Sequence, residues 1–385
     1  MSRLAARLTT LTTLLALAAA VVLPGGATAA PRAAAAATAQ LVAEGGGWGH
    51  GVGLSQFGAE GFAAHGKRYR WIVGYYFRGT KVGKAPRGRT VRVLLGTTGP
   101  VTLTNLAKAG KRRLDPRVAY RTSVAGASIA LRGGGKTVRL APKTPISGRG
   151  TVGVAGKGRY RGTLLLSVSD DGDLRVVNKV GLEDYVRAVV PAEVYPSWHA
   201  ETLKAQAVTA RTYALTVVKG DGRDYDQVDD VRSQQYDGAG KETAATDAAV
   251  RATRGQVLTY RGKLIQSYFH SSSGGHTEGA GVGFGQGVDL PYLVGVKDPY
   301  DGDSALNQYD RWLRRFPLAR AQAALRDAGL LDGALLGIEV LRRGASPRIA
   351  SARILGSDGE TTTTGVKLKE ALLLPDVPSS LTLVR

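Results

Sequence analysis

The chain has 385 residues, 43% of them hydrophobic and 22% charged, enough for two or three folded domains around a sizeable core. It contains no cysteine, which excludes disulfides, a thiol nucleophile and Cys-ligated zinc. The net charge of +21 is local: 23 Lys and Arg and one acid, Asp115, stand between Lys67 and Arg161, and the rest of the chain is nearly neutral.

At the N-terminus, Arg3 and Arg7 precede a mostly apolar run from Leu8 to Leu23, and Ala27-Thr28-Ala29 follows as a small-residue cleavage site. This pattern predicts a signal peptide over 1–29 and hence a secreted protein. Residues 30–40, APRAAAAATAQ, read as a low-complexity linker. The next segment, 41–80, opens on GWGHGVGLSQFGAEGFA, in which Gly47, Gly49, Gly51 and Gly53 alternate around His50. The alternation is not the G-x-G-x-x-G of a dinucleotide loop. It suits a backbone that turns sharply and approaches a ligand closely, before a helix starting near Ser55. His50 is then either a groove-lining hydrogen-bond donor or a packing histidine. An aromatic helix, Arg70 to Phe77, completes the segment.

Alternating runs separated by Gly-rich turns predict a basic, all-β segment over 85–158, a small barrel or sandwich. Nucleic acid is disfavoured as its partner, because no zinc-finger, helix-turn-helix or RNP-like pattern accompanies the charge. Outside a membrane, the polyanions left for the 67–161 charge are anionic wall polymers, lipid head groups and peptidoglycan carboxylates; the alternative is that the charge only adds solubility. From 160 to 385 the character is mixed, so the fold class is α+β. A strand at Leu174–Val177 leads to a helix, Leu182–Val190, with Glu183 and Asp184 in its first turn. A second helix, Trp198–Val218, places Leu203, Ala207, Ala210 and Ala214 on one face and Lys204 and Arg211 on another stripe. Ala244–Thr253 and Pro317–Ala328 read as helices, and Val257–Tyr260 and Leu264–Phe269 as strands.

Two stretches could carry chemistry. In Val189-Val-Pro-Ala-Glu-Val-Tyr-Pro-Ser-Trp198, Glu193 sits between two prolines and beside apolar neighbours that would raise its pKa, as a general acid requires. Tyr195 and Trp198 suit stacking on sugar rings. The competing reading makes Glu193 a helix cap and Trp198 core. The second stretch, Tyr268 to Glu278, is a hydroxyl-rich, Gly-hinged loop suited to polar ligands. His270 and His276, six apart, match no standard zinc spacing, and no G-x-S-x-G elbow supports a serine nucleophile. No cofactor is implied, and the one metal reading left open is zinc held by His270 and His276 without thiolates.

Together these pieces resemble the SpoIID/LytB family, the stage II sporulation protein D and amidase-enhancer group. The resemblance is carried by Leu182-Glu-Asp-Tyr-Val186, Val190-Pro-Ala-Glu193, Leu203-Lys-Ala-Gln-Ala-Val-Thr-Ala-Arg-Thr-Tyr-Ala214, Ser233-Gln-Gln-Tyr-Asp-Gly238 and His270-Ser-Ser-Ser-Gly-Gly-His276. The 85–158 segment lies outside it and looks like an insertion. The GHGVG motif, which usually closes the family's sequence, here stands first. That order implies a circular permutation, with Leu41-Val42 beside Thr382–Val384 and His50 near Glu193. The resemblance implies a lytic transglycosylase acting on peptide-stripped peptidoglycan glycan strands, with Glu193 as the catalytic acid and base. It puts substrate contacts at Tyr195, Trp198, Lys204, Gln206, Arg211 and Tyr236, and at Ser272, Ser273, His276, His50, Ser55 and Gln56. Lys204 and Arg211 would pair with the carboxylates of stripped strands. The alternative it implies is a non-catalytic, wall-binding enhancer of an N-acetylmuramoyl-L-alanine amidase.

Overall fold

The computed structural model of the chain describes residues 39–385 other than 97–98, 127, 217–223 and 286. The leader expected over 1–29 and nearly all of the 30–40 linker lie outside the described residues. The fold is α+β. Among the described residues, no helix is long and apolar enough to cross a membrane.

The first strand, Gln40–Gly45, is the middle of a three-stranded antiparallel sheet, between Trp312–Pro317 and Ser380–Val384. Leu41 stands opposite Leu383 and Val42 opposite Thr382, the pairing expected from the sequence. Leu41, Ala43 and Leu381 are buried in the same cluster as Trp312 and Leu325.

The strands of the basic segment hydrogen-bond into one eleven-stranded sheet that runs on into the following chain. Thr90–Leu95 pairs antiparallel with Leu174–Gly181, so the sheet crosses the boundary expected near 158. Val91, Val93 and Leu95 alternate inward along the first of these strands and share one core with Tyr185, Val186 and Val189. The basic side chains occupy the outward positions.

Five helices position the site. They are α1 (Gln56–Ala64), α2 (Tyr69–Tyr76), α3 (Leu182–Glu193), α4 (Ala200–Thr216) and α5 (Ala244–Ala252). Ser55 caps α1 as expected, accepting the Gly58 N–H at 3.2 Å. α3 is longer than expected and runs through Pro191, which has no N–H to give to the Arg187 carbonyl one turn back. α4 is buried on nearly every side. Its Leu203, Ala207, Ala210 and Ala214 face the sheet core, while Ala205 and Val208 face a second core built on Phe62, Ile72 and Tyr76. Small residues on both faces let α4 serve as the common wall of the two cores. The strand expected over Leu264–Phe269 is two short pieces, Lys263–Leu264 and Phe269–His270; the latter pairs with Leu54-Ser55.

Candidate functional site

Glu193 is the last residue of α3, and the chain turns extended at Val194, two residues before Pro196. Its carboxyl stands between two depressions of about 380 Å3 each, and Gln56, Glu193 and Ser271 line both. One depression is walled by His50, Tyr213, Arg232, Tyr268 and Phe284. The other is walled by Phe57, Tyr195, Trp198, Leu306 and Tyr309. Trp48, 43% exposed, and Tyr195, 49% exposed, offer an open aromatic face on either side of the carboxyl. Trp198 is a wall residue, packed edge-on against Phe57 at 5.0 Å. Glu193 is the one carboxylate lining either depression among the described residues.

The Glu193 carboxylate accepts the Gln235 N–H at 2.7 Å and the Gln56 amide at 3.5 Å. Burial among apolar groups outweighs both contacts, helped by the charge of Asp237, and raises the carboxyl to about 7. Such a group holds its proton in mildly acidic to neutral water and exchanges it readily.

The glycine run delivers Gln56 and His50 to this place. Gly47, Gly49, Gly51 and Gly53 all have positive φ, between +73° and +121°. Only glycine tolerates this together with the close approaches found there: a methyl at Gly49 would lie 2.8 Å from the His270 side chain. At Gly53 a methyl would collide with the Tyr268 carbonyl. Gly53→Ala is therefore expected to cost about 2 kcal/mol of stability, read from the urea midpoint; an unchanged midpoint would refute the strain argument. His50 lines the groove with its ring neutral, because burial and the nearby Lys369 cation lower it to about 3. Its Nδ1 accepts the Val52 N–H at 3.0 Å, so its own proton is on Nε2.

Several residues expected at the substrate are elsewhere. Arg211 is 0% exposed and forks onto Glu183 at 2.9 and 3.0 Å, with further bonds to the Ala207 and Gln256 carbonyls. A guanidinium on a helix buried all round must be satisfied internally, and the first turn of α3 supplies the carboxylate. Lys204 pairs with Glu201 at 2.6 Å beside the Tyr69 ring, away from the groove. Gln206 is buried in α4 with neither amide atom partnered, and it lines neither depression. Tyr236 turns into the core, stacked on Tyr185 and donating to Asn178 at 2.6 Å. Its neighbour Gln235 meets Glu193 through the backbone, so that motif serves the site by an N–H rather than by a ring.

The hydroxyls of Ser55, Ser272 and Ser273 are also turned inward. Ser55 and Ser272 each donate to Asp301 at 2.6 Å, and Ser273 donates to Asp298 at 2.8 Å. Buried carboxylates capture these hydroxyls and bolt the loop to α1. Burial and the Asp301 charge raise Asp298 to about 7. His276 is half-buried, its Nδ1 donating to the Thr277 carbonyl at 2.7 Å, and it lines neither depression. Of this loop, Tyr268, Phe269, His270 and Ser271 reach the groove, and the residues after Ser271 do not. His270 Nδ1 donates to the Val52 carbonyl at 3.1 Å, which leaves Nε2 a buried acceptor without a partner. The sequence marks none of Tyr213, Arg232 and Tyr309 as a substrate contact, and it offers Tyr268 and His270 only as members of a loop suited to polar ligands. Among the described residues no group of three or more His, Asp or Glu side chains is placed to hold a metal ion.

Residues 170–260 match the family model described as SpoIID, Stage II sporulation protein. An uncharacterized protein of Brachyspira hyodysenteriae is 41% identical over 139 residues, 36% of this chain and 37% of that one. The Amidase enhancer of Bacillus subtilis is 38% identical over 116 residues, 30% of this chain and 15% of that one. Stage II sporulation protein D of Bacillus subtilis is 35% identical over 145 residues, 33% of this chain and 41% of that one. The chain thus spans less than half the length of each of these relatives.

Proposed function

We propose that this chain, whose residues 170–260 are a SpoIID-family segment, is a secreted lytic transglycosylase of peptidoglycan glycan strands. One observation carries the proposal: a single carboxyl, raised to about 7, stands at the junction of two aromatic-walled depressions. A strand lying across both would place a glycosidic bond over Glu193. The protonated carboxyl gives its proton to the glycosidic oxygen between N-acetylmuramic acid and N-acetylglucosamine. The C1–O bond breaks, and the leaving sugar departs with a free hydroxyl. The Glu193 carboxylate then takes the proton from the muramoyl C6 hydroxyl as O6 bonds to C1, closing a 1,6-anhydro ring. One carboxyl serves both steps and is regenerated, with no water consumed, whereas a hydrolase needs a second carboxylate.

Digestion of purified, peptide-stripped glycan tests this. Anhydromuramoyl ends support it; new reducing ends would make the protein a hydrolase, and no products would leave it a binding protein. The second reading, a wall-binding enhancer of an amidase, is favoured by the similarity to the Amidase enhancer. Faster turnover by a wall amidase without glycan products would establish it. The permuted chain order is part of the same proposal, supported by the pairing of the first strand with Ser380–Val384.

With Arg211 and Lys204 engaged elsewhere, Arg232 is, among the described residues, the cation that lines the groove, paired with Asp230 at 2.7 Å. Arg232→Gln is expected to weaken binding of peptide-stripped strands roughly three- to tenfold and to spare peptide-bearing strands. Equal loss on both would remove Arg232 from carboxylate recognition.

A further inference from the structure

The end of α3 opposite Glu193 opens into another depression, of about 640 Å3. Arg87 and Arg89 reach it from the segment before Thr90–Leu95, Arg187 from α3, and Arg251 and Arg254 from the end of α5. Two acids, Glu183 and Asp184, share the lining, but both are already engaged. Glu183 is forked by Arg211, and Asp184 lies 3.5 Å from Arg187 and 3.8 Å from Arg161. Arg187 is in turn held by Asp247 and Glu242 at 2.6 and 2.9 Å. Arg251 has only a distant carboxylate, Asp247 at 3.9 Å. The exposed guanidiniums of Arg87, Arg89 and Arg254 have no acceptor among the described residues.

Three unspent forks in one depression leave an uncompensated positive field. The cavity is too roomy for one small ion and suits several linked anionic groups. No aromatic side chain lines it, so neither bases nor sugar faces can stack there. What remains is recognition of charge and geometry, and phosphate oxygens suit paired guanidinium N–H groups. We propose that this depression docks a linear, non-nucleotide polyanion with repeating phosphodiesters, gripped by Arg87, Arg89 and Arg254. α3 has 12 residues and is about 18 Å long, so the docked polymer would lie that far from Glu193, on the same rigid rod. The protein would be tethered to a phosphate-rich matrix without blocking its groove.

The test is binding of fluorescently labelled poly(glycerol phosphate) to the full chain at moderate salt. Arg87→Gln/Arg89→Gln/Arg254→Gln is expected to weaken binding at least about tenfold and to flatten its salt dependence. The matched control, Lys111→Gln/Arg112→Gln/Arg113→Gln, removes the same charge from an exposed hairpin outside the depression and is expected to change affinity less than about twofold. Equal losses in the two triple variants would overturn the site in favour of diffuse charge. Poly-glutamate, single-stranded DNA of equal charge and vesicles of equal parts phosphatidylcholine and phosphatidylglycerol form the other arms. Tighter binding of any of them through the same three arginines would overturn the assigned ligand. Among the described residues no hydrogen bond or ion pair of the fold uses these three guanidiniums, and glycan cleavage by the triple variant, read separately, keeps this result independent of the Glu193 proposal.

Discussion

Glu193→Gln is expected to lower glycan-strand cleavage by about 10²–10⁴-fold and, at the same time, to stabilise the protein above neutral pH. The amide keeps the shape and an acceptor for the Gln235 N–H, but it has no proton to give. The stability effect follows from burial. The folded carboxyl titrates near 7, while the unfolded one titrates near 4.5. Between those values the unfolded chain releases a proton that the folded chain retains, so stability falls as pH rises through this window and stays reduced above it. Discounted for the edge of Glu193 that faces the groove, the penalty is roughly 1–3 kcal/mol. Glutamine does not pay it. Urea midpoints of the two proteins should coincide near pH 4 and diverge by pH 8, the variant being the more stable. Wild-type cleavage should decline as pH rises through about 7, as the acid form is lost. A stability advantage of the variant over the wild type that is no larger at pH 8 than at pH 4 would refute the buried-acid account, whatever the variant's activity.

The second large effect is expected at Arg348, beneath the glycine run. Its guanidinium is buried, paired with the buried Asp376 at 2.7 Å, and bonded to the Ser273 and His276 carbonyls at 2.8 and 2.7 Å. Gly47 and Gly51 pass so close that a methyl on either would meet this guanidinium. Arg348→Met removes the cation, strands a buried carboxylate and frees two carbonyls. A loss of about 3–5 kcal/mol is expected in urea unfolding. Arg348→Met/Asp376→Leu should recover much of it, because the desolvated charge goes with its partner. If the double variant is no better than the single one, the cost lies in the freed carbonyls rather than in the charge.

These two residues also show what was legible in the sequence. Glu193 could be found because its surroundings are local: apolar neighbours, flanking prolines and the end of a helix lie within a few positions. The glycine run was legible for the same reason, since alternating positive-φ positions need alternating glycines. Arg211 was misread because a helical stripe shows which residues share a face, not what covers that face. α4 is walled on both sides, so its arginine became structural. Ser272 and Ser273 were misread because the acids that capture them, Asp301 and Asp298, stand 29 and 25 residues further on and carry no recognisable spacing. Arg232 is not legible because its neighbourhood with Glu193 exists only after the loop carrying Gln235 folds over the end of α3, and Tyr213 because it meets Glu193 only once α4 packs against α3.

The pairing of the first strand with Ser380–Val384 sets the order in which the site can be completed. Ser380 bonds Glu44 across 336 residues of chain, and the glycine run hangs directly from that strand. Contacts so distant in sequence form late, because a very long loop must close before they contribute. A chain threading out N-terminus first would carry Gln56 and His50 early, with nothing to hold them against Glu193. Until Ser380–Val384 arrives, the first strand is held on one side only, by Trp312–Pro317. On the proposed function, bond-cutting capacity would then switch on only after Ser380–Val384 has emerged, and a molecule clipped before Ser380 would be inactive although Glu193 is intact.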